Sequence, residues 1–295
     1  MGHNHNHSGL DSMNDRPLVW AIAINMLLTL AQIVGGILSG SLSLIADALH
    51  NFSDATSLLI ALVARKIGRR LADNYKSFGY KRAEVIATLI NLITLVIVGI
   101  YLIYEALWRL YEPQVIEGWM VVAVASVALV IDIVTAILTY RMSKDSINIR
   151  AAFLHNVSDA LASVGVIIAG SLILIYEWYW SDTVITLMIA AYVLYQASSL
   201  LPETVNILME GIPDNIKTDD VVTKMQTIDG VVKIHHLHIW RLDEHKNALE
   251  AHVQIEDFNN SQKIKEELKS LLQEQFLIVH STLEFEVEHC GYECC

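Results

Sequence analysis

Long apolar stretches separated by short polar connections fill the N-terminal part of the sequence. Three of these stretches carry no charged residue over 19 to 21 positions, and three others of similar length contain ionisable side chains. About 20 apolar residues, at about 1.5 Å per residue, cross the roughly 30 Å hydrocarbon core of a bilayer. The pattern therefore predicts an α-helical membrane protein with six transmembrane helices, at Leu18–Leu38, Leu42–Ala64, Val85–Tyr104, Gly118–Tyr140, Ala151–Tyr176 and Thr183–Leu201.

The sequence takes on the composition of a small soluble domain after the break at Gly211 and Pro213. Helical and strand periodicities alternate there in the order αββαβ, which is typical of a two-layer, ferredoxin-like α+β domain. A domain of about 80 residues buries little surface, so we expect it to dimerise. Its predicted elements are a helix at 216–228, strands at Val231–Trp240 and Ala248–Glu256, a helix at Ser261–Gln275 and a strand at His280–Val287.

Composition and charge exclude several classes of protein. With 54% hydrophobic and 18% charged residues, the chain is neither disordered nor an ordinary soluble domain. The net charge is −12, and residues 213–295 contain 16 Asp and Glu against 8 Lys and Arg. This acidity argues against a nucleic-acid partner and suits a cationic ligand better. The three cysteines, Cys290, Cys294 and Cys295, lie too close together to form a disulfide framework.

Lys and Arg are concentrated in alternate connections between the predicted helices. Seven lie between helices 2 and 3 and three between helices 4 and 5, whereas the opposite connections contain only Arg109. Such an excess marks the cytoplasmic side of a membrane, so both termini are expected to be cytoplasmic. The cysteines would then be free thiols in a reducing compartment.

A duplicated motif of His and Asp supplies the candidate metal ligands. Helix 2 contains His50 and Asp54, and helix 5 contains His155 and Asp159, each pair with the spacing H-N-x-S-D. Residues four apart share one helical face, and ionisable groups in a bilayer face the bundle interior or a wet cavity. Two facing pairs would offer two imidazole nitrogens and two carboxylate oxygens, a set that suits tetrahedral Zn²⁺. The alternative is a buried hydrogen-bonded network, but the duplication favours the metal.

These ligand types indicate transport rather than storage. Imidazole and carboxylate bind zinc less firmly than thiolate does, and protons compete for the same lone pairs. Because histidine titrates near neutral pH, such a site could exchange metal for protons.

Helix length decides whether the two motifs can meet. His50 lies eight residues into helix 2 from its outer end, whereas His155 lies only five residues beyond Arg150 at the inner end of helix 5. We therefore expect helix 5 to begin earlier, at about 143–148, beside a wet cytoplasmic vestibule.

The chain resembles the cation diffusion facilitator family, in particular its zinc-transporting bacterial members. The resemblance implies a homodimeric antiporter in a bacterial inner membrane that exports Zn²⁺ by alternating access against inward H⁺ flow. It also implies that His50 favours zinc over manganese or iron. Because its ligand preferences overlap those of zinc, Cd²⁺ is a candidate secondary substrate. Besides the two motifs, the segments that carry the resemblance are Ser39–Asp47, Phe78–Glu84, Asn148–Ala152 and His235–Trp240.

The same resemblance implies that the C-terminal domain binds further zinc. His235, His252 and Glu286 are carried over as its ligands, with Cys290 as a fourth. His236, His238 and His245 stay unassigned. Cys294 and Cys295 would add thiolates or belong to a solvated tail. The expected segments are a His-containing tail at 1–16, a transmembrane domain at 17–212, a cytoplasmic metal-binding and dimerisation domain at 213–290 and a Cys-containing tail at 291–295.

Two further carboxylates lie in the predicted helices outside the duplicated motif. Asp47 shares a face with His50, so it either orients the imidazole or caps the outer end of helix 2. Asp132 in helix 4 is protonated, bonded to Ser, Thr or Asn on a neighbouring helix, or part of a proton path. We favour a structural role for both.

The N-terminal residues His3, His5 and His7 alternate in a polar segment. They would collect cytosolic metal for the transporter, or they belong to an added segment.

Two other functions are consistent with parts of the pattern. A passive metal channel would share the His and Asp lining without coupling to protons. A membrane metalloenzyme would need an open coordination position, which four apparent ligands argue against. The chain also has no phosphate-binding glycine loop, HExxH motif or nucleophile elbow.

Overall fold

The computed structural model describes residues 16–68, 70, 72–142, 147–242 and 246–287. Six helices of 24 to 30 residues come first along the chain. They are α1 (Arg16–Ser39), α2 (Leu42–Gly68), α3 (Arg82–Tyr111), α4 (Gly118–Met142), α5 (Ile147–Tyr176) and α6 (Trp180–Leu208).

Length and composition separate these helices into two groups. Among the described residues, four stretches are long and apolar enough to cross a membrane: Arg82–Tyr111, Gly118–Ile137, Phe153–Tyr176 and Trp180–Leu208. In α1 the apolar stretch Asn25–Ser39 is shorter than these four. α2 is long enough at 27 residues, but its ionisable side chains lower its hydropathy. The chain therefore has the predicted helical transmembrane region, with the most polar helix at the motif.

Two helix ends can be compared with the bounds predicted from the sequence. α5 begins at Ile147, which confirms that it starts before Arg150. α6 was predicted to end at Leu201 but continues through Pro202 to Leu208. Proline removes only one backbone donor from the ladder, and the Thr204 hydroxyl donates to the Leu200 carbonyl at 3.0 Å beside it.

The contacts divide the chain into two compact units. Among the described residues, the first contains those at 16–60 and 91–198, and the second contains those at 61–90 and 199–287. α2, α3 and α6 each contribute residues to both units.

The core of the first unit joins α2 to the later helices. Leu44 and Ala46 of α2 are buried in one apolar cluster with Val121 of α4, Val166 of α5 and Ala190 of α6. Large apolar side chains of the helices in this unit are exposed. Leu27, Ile37, Ile97, Val130 and Leu161 are 61% to 68% exposed, a surface suited to lipid rather than water.

A short turn at Gly40 joins α1 to α2 and is held by hydrogen bonds to side chains of α3 and α6. Gly40 has φ of +75°, a left-handed conformation that other residues rarely adopt. Its carbonyl accepts a hydrogen bond from Arg109 Nη1 at 2.6 Å. The buried Asp182 carboxylate accepts bonds from the hydroxyls of Ser41 and Ser43, both at 2.6 Å, and from the Leu42 N–H at 2.8 Å. α6 thereby caps the first turn of α2.

The second unit contains the predicted αββαβ order. It comprises α7 (Thr218–Met225), β1 (Val231–Arg241), β2 (Asn247–Ile255), a single 3₁₀ turn at Phe258–Asn260, α8 (Ser261–Phe276) and β3 (Ile278–Glu286). The strand order is β1-β2-β3, with β1 and β2 antiparallel and β2 and β3 parallel. α8 buries Ile264, Leu268 and Leu272 against Leu249 and Val253 of the central strand, so a core forms on one face of the sheet.

Candidate metal centre

α2 and α5 bring the duplicated motif into one cluster. One candidate ligand atom each of His50, Asp54, His155 and Asp159 lies within 4.8 Å of the others. The pairing is crossed between the helices: His50 Nε2 lies 3.2 Å from Asp159 Oδ1, and His155 Nε2 lies 3.2 Å from Asp54 Oδ2. The four side chains that the i, i+4 spacing singled out therefore face one another.

The distances within this cluster fit the size of a zinc ion. The pairs on the same helix, His50 with Asp54 and His155 with Asp159, are 3.7 and 3.6 Å apart. Four donors bound to tetrahedral zinc at about 2.1 Å lie about 3.4 Å from one another. The crossed and same-helix distances fall on either side of that value, so one ion fits with small side-chain movements.

Burial is uneven across the cluster. The His50 and Asp159 side chains are 5% and 11% exposed, whereas those of Asp54 and His155 are 30% and 36% exposed. One histidine and one carboxylate therefore lie deep, and the other two line the accessible side. An ion entering from the accessible side would meet Asp54 and His155 first.

A polar network connects α1 to the motif. Gln32 of α1 is fully buried, and its Nε2 donates to Asp47 Oδ2 at 2.6 Å. Its Oε1 accepts from Asn51 Nδ2 at 3.1 Å, next to His50 in the chain. Asp47 Oδ1 is buried without a hydrogen-bond partner in the described part of the chain. Asp47 therefore reaches the motif through two amides, instead of by the direct bond to His50 that its spacing suggested.

Asp132 has the partner that its structural interpretation required. Its Oδ2 accepts a hydrogen bond from Ser163 Oγ of α5 at 2.9 Å, and the residue is 7% exposed. Ser163 lies four positions after Asp159 and so on the same side of α5. The bond ties α4 to the helix that carries half of the cluster.

Tyr192 of α6 is a neighbour that the sequence analysis missed. Its ring lies edge-on to the His50 ring, with centroids 6.1 Å apart. Its hydroxyl accepts a bond from Gln196 Nε2 at 2.8 Å. Tyr192 and Gln196 are polar side chains four apart in a membrane-spanning helix, which is a signal that could have indicated this contact.

A second cluster lies on the three strands of the second unit. His235 and His252 are direct partners across β1 and β2, and Glu286 lies opposite Gln254 across β2 and β3. One candidate ligand atom of each of the three residues lies within 4.8 Å of the others, and His235 Nε2 bonds to Glu286. The structure thus brings together three of the four residues that the family resemblance indicated for the domain.

The surroundings of this second cluster include more histidine. His236 occupies a bulge in β1 with φ of +51°, and its ring centroid lies 4.9 Å from those of His238 and His252. His252 Nε2 is 3.5 Å from Glu284 Oε2. The other predicted metal-binding residues lie outside the described residues: His3, His5, His7, Cys290, Cys294 and Cys295.

Comparison with known families covers both parts of the chain. Residues 18–209 match the cation efflux transmembrane domain. Residues 213–288 match the cation efflux protein cytoplasmic domain. The two matches together span both clusters.

Relatives of similar length exist in several bacteria. The metal cation efflux system protein CzcD of Cupriavidus metallidurans is 37% identical over 291 residues, covering 98% of this chain and 91% of that protein. The zinc transporter ZitB of Escherichia coli is 33% identical over 300 residues, with coverage of 100% and 96%. A cadmium, cobalt and zinc/H(+)-K(+) antiporter of Bacillus velezensis is 34% identical, with coverage of 97% and 92%. The solved metal-bound C-terminal domain of the CzcD transporter from "Cuprividus metallidurans" matches with 34% identity and a TM-score of 0.23, covering 24% of this chain and 99% of that chain.

Proposed function

The chain belongs to the cation efflux family, and we propose that it exports cytosolic Zn²⁺ in exchange for protons. The observation that carries the proposal is the crossed His and Asp cluster on α2 and α5, whose donors are spaced for one tetrahedral zinc ion. His50, Asp54, His155 and Asp159 are the proposed transport ligands.

Competition between zinc and protons for the same ligands would couple zinc export to proton import. Imidazole nitrogen binds either an ion or a proton at a given lone pair, and so does carboxylate oxygen. Without metal, each histidine lies beside an aspartate of the other helix, so protonated imidazoles would keep the two helices together as ion pairs. A cluster that is held by either zinc or protons is suited to alternating access, because neither loaded state leaves buried charges unpaired.

The ligand set also limits the substrate. Two nitrogens and two oxygens suit a borderline-soft ion such as Zn²⁺ better than Mn²⁺, which prefers oxygen ligands. The Escherichia coli relative is named a zinc transporter, and the Bacillus velezensis relative is named for cadmium, cobalt and zinc. We therefore propose zinc as the main substrate and Cd²⁺ as a secondary one.

Asp47 and Asp132 would act around the cluster without binding metal. Through Gln32 and Asn51, Asp47 fixes the position of the helix 2 motif from α1. Asp132 fixes α5 through Ser163. A role in proton movement is a further proposal for Asp47, since one of its buried oxygens has no protein donor among the described residues.

Transport by purified protein in vesicles tests the proposed exchange. With an acidic lumen, we expect external zinc to enter against its gradient while the lumen becomes more alkaline. Each proton exchanged per ion across one pH unit can sustain about a tenfold zinc ratio. An ionophore that collapses the pH gradient should remove accumulation but leave slow equilibration. Zinc entry that ignores the pH gradient in both directions would instead identify a passive channel.

The second cluster would bind a regulatory zinc ion in a cytoplasmic domain that forms the homodimer. His235, His252 and Glu286 would be ligands, with Cys290 as a fourth. With 16 acidic against 8 basic residues in 213–295, two copies of this domain repel each other. A bound cation reduces that repulsion and ties the three strands together.

Removing this second site should affect stability more than transport. In the full-length protein we expect His235→Ala with His252→Ala to remove one bound zinc ion per chain and most of the zinc-induced rise in Tm. Zinc at about 100 times its Kd stabilises a folded domain by about 2.7 kcal/mol. Bound metal is measured by elemental analysis, and stability by thermal unfolding in detergent.

His280→Ala provides the control, because it removes an exposed histidine from β3 of the same domain. It should retain both the metal and the zinc-induced rise in Tm. A double variant that stops transport at saturating zinc as completely as Asp54→Ala would show that the second site is part of the transport machinery.

We propose the following domains and tails along the chain. Residues 17–212 would form the transmembrane domain and 213–290 the cytoplasmic domain, with residues 1–16 and 291–295 as cytoplasmic metal-collecting tails. Both termini would face the cytoplasm of a bacterium, across its inner membrane, as the Lys and Arg distribution predicts.

A further inference from the structure

The end of α2, the connection to α3 and the first residue of α3 are strongly basic in an acidic protein. Residues 65–82 contain seven Lys and Arg and one acidic residue, Asp73, whereas the whole chain has a net charge of −12. Retention of Lys and Arg on one side of a membrane accounts for positive charge in such a connection. It does not account for the way in which the structure arranges that charge.

Three of these cations line a cavity of about 400 Å³ within the second unit: Lys76, Lys81 and Arg82. Glu210 is the one acidic side chain among the described residues that line it, and its Oε1 lies 3.1 Å from Arg82 Nη1. Among the described lining residues, cationic side chains therefore outnumber acidic ones. Four aromatic residues complete much of the wall: Tyr75, Phe78, Tyr80 and Trp240.

The wall of this cavity is held in one conformation by Asp73. Its Oδ1 accepts the backbone N–H groups of Tyr75 and Lys76, each at 2.8 Å, and its Oδ2 accepts the Tyr80 hydroxyl at 2.8 Å. The Tyr80 hydrogen bond, followed by the two backbone bonds, holds the pKa of Asp73 below its usual range. These three bonds therefore favour the ionised form of Asp73 and tie Tyr80 to the turn at Tyr75 and Lys76.

One side of the cavity is apolar and leads into a membrane span. Ala83 and Ile86 belong to the first turns of α3 and line the cavity, and Ile86 is 49% exposed. Tyr75 and Phe78 are 90% and 57% exposed at the same site. The cations thus lie where the chain enters the apolar span Arg82–Tyr111, and the exposed apolar surface continues along that helix.

We propose that this cavity binds the phosphate headgroup of an anionic phospholipid from the surrounding bilayer. The phosphate would lie beside Lys76 and Lys81, and the acyl chain would follow Ile86 along α3. Basic pockets beside membrane spans attract anionic headgroups, and aromatic rings are favoured at that depth. The volume falls in the range of small-molecule sites, which a headgroup fills and a bare ion does not.

Electron paramagnetic resonance of labelled lipids tests the proposal on the full-length protein in phosphatidylcholine membranes. Acyl-labelled phosphatidylglycerol is compared with acyl-labelled phosphatidylcholine, and the motionally restricted fraction of each gives their relative association. We expect a clear preference for phosphatidylglycerol. Lys76→Gln with Lys81→Gln should reduce that preference by at least about fivefold, since each surface cation contributes about that factor.

Three comparisons distinguish a specific lipid site from general charge attraction and from a soluble-anion site. Lys76→Arg with Lys81→Arg should keep the preference, because the charge remains. Lys263→Gln with Lys269→Gln removes two exposed charges from α8 and should also keep it; an equal loss there would show general attraction instead of a site. Inorganic phosphate that displaces phosphatidylglycerol at millimolar concentration would identify a soluble-anion site and overturn the assignment to lipid.

Discussion

Replacing any one of His50, Asp54, His155 and Asp159 by alanine is expected to abolish zinc transport while the protein stays folded and dimeric. Each substitution leaves three donors where the distances fit four. Changes to residues that merely support a metal ligand cost 10- to 100-fold in affinity or activity. Loss of a ligand itself should therefore cost more than about 100-fold in zinc uptake, measured in vesicles with an acidic lumen.

Ser158→Ala is the matched control for Asp159→Ala. Ser158 is adjacent in the chain, and its hydroxyl donates to the Leu154 carbonyl of its own helix at 3.1 Å. Its removal should leave uptake within about twofold, because this hydroxyl bonds to the backbone of its own helix. Wild-type uptake by any two of the four ligand variants would contradict the proposed site.

The four-residue cluster could be predicted because helix geometry and membrane energetics act on single helices. Residues four apart share a face, and ionisable groups turn away from lipid. These two rules place each His and Asp pair without knowledge of the other helix. The crossed pairing of His50 with Asp159 could not be predicted, because it depends on the rotation and depth of α2 against α5.

For the same reason, the sequence pattern could not predict the polar contacts that α1 and α6 make with α2. Gln32 lies 15 positions before Asp47, and Asp182 lies 140 positions after Leu42. Each is a polar residue within or at the end of an apolar segment, which signals a buried partner but not its identity. Only the packed structure shows which polar groups satisfy each other.

The second unit was easier to predict because short connections fix its strand pairing. A hairpin between β1 and β2 places His235 opposite His252 once both strands are recognised. The β1 bulge at His236 is a local exception that alternation of polar and apolar residues does not reveal. Glu286 joins the cluster through the parallel pairing of β2 with β3. The resemblance indicated this residue as a ligand, but periodicity did not.

Asp182→Ala should be the most destabilising single substitution outside the metal clusters. Asp182 is fully buried and accepts bonds from two hydroxyls and from backbone N–H groups in the first turn of α2. Alanine removes the shared acceptor of these buried donors, and each donor left unpaired costs about 1 to 3 kcal/mol. A loss of about 3 kcal/mol or more lowers Tm by at least about 6 °C in a protein of this size. Thermal unfolding of the purified protein in detergent measures it.

Asp219→Ala separates this capping role from a general effect of removing a carboxylate. Asp219 lies in the first turn of α7 but is exposed, so its loss should cost about 1 kcal/mol or less. Ser41→Ala with Ser43→Ala should fall between the two, because Asp182 then still accepts the backbone N–H of Leu42. The cap also sets the height of α2, which carries His50 two turns further along, so Asp182→Ala should weaken zinc binding as well as stability. A variant with unchanged Tm and zinc affinity would mean that α2 is positioned by its apolar contacts alone.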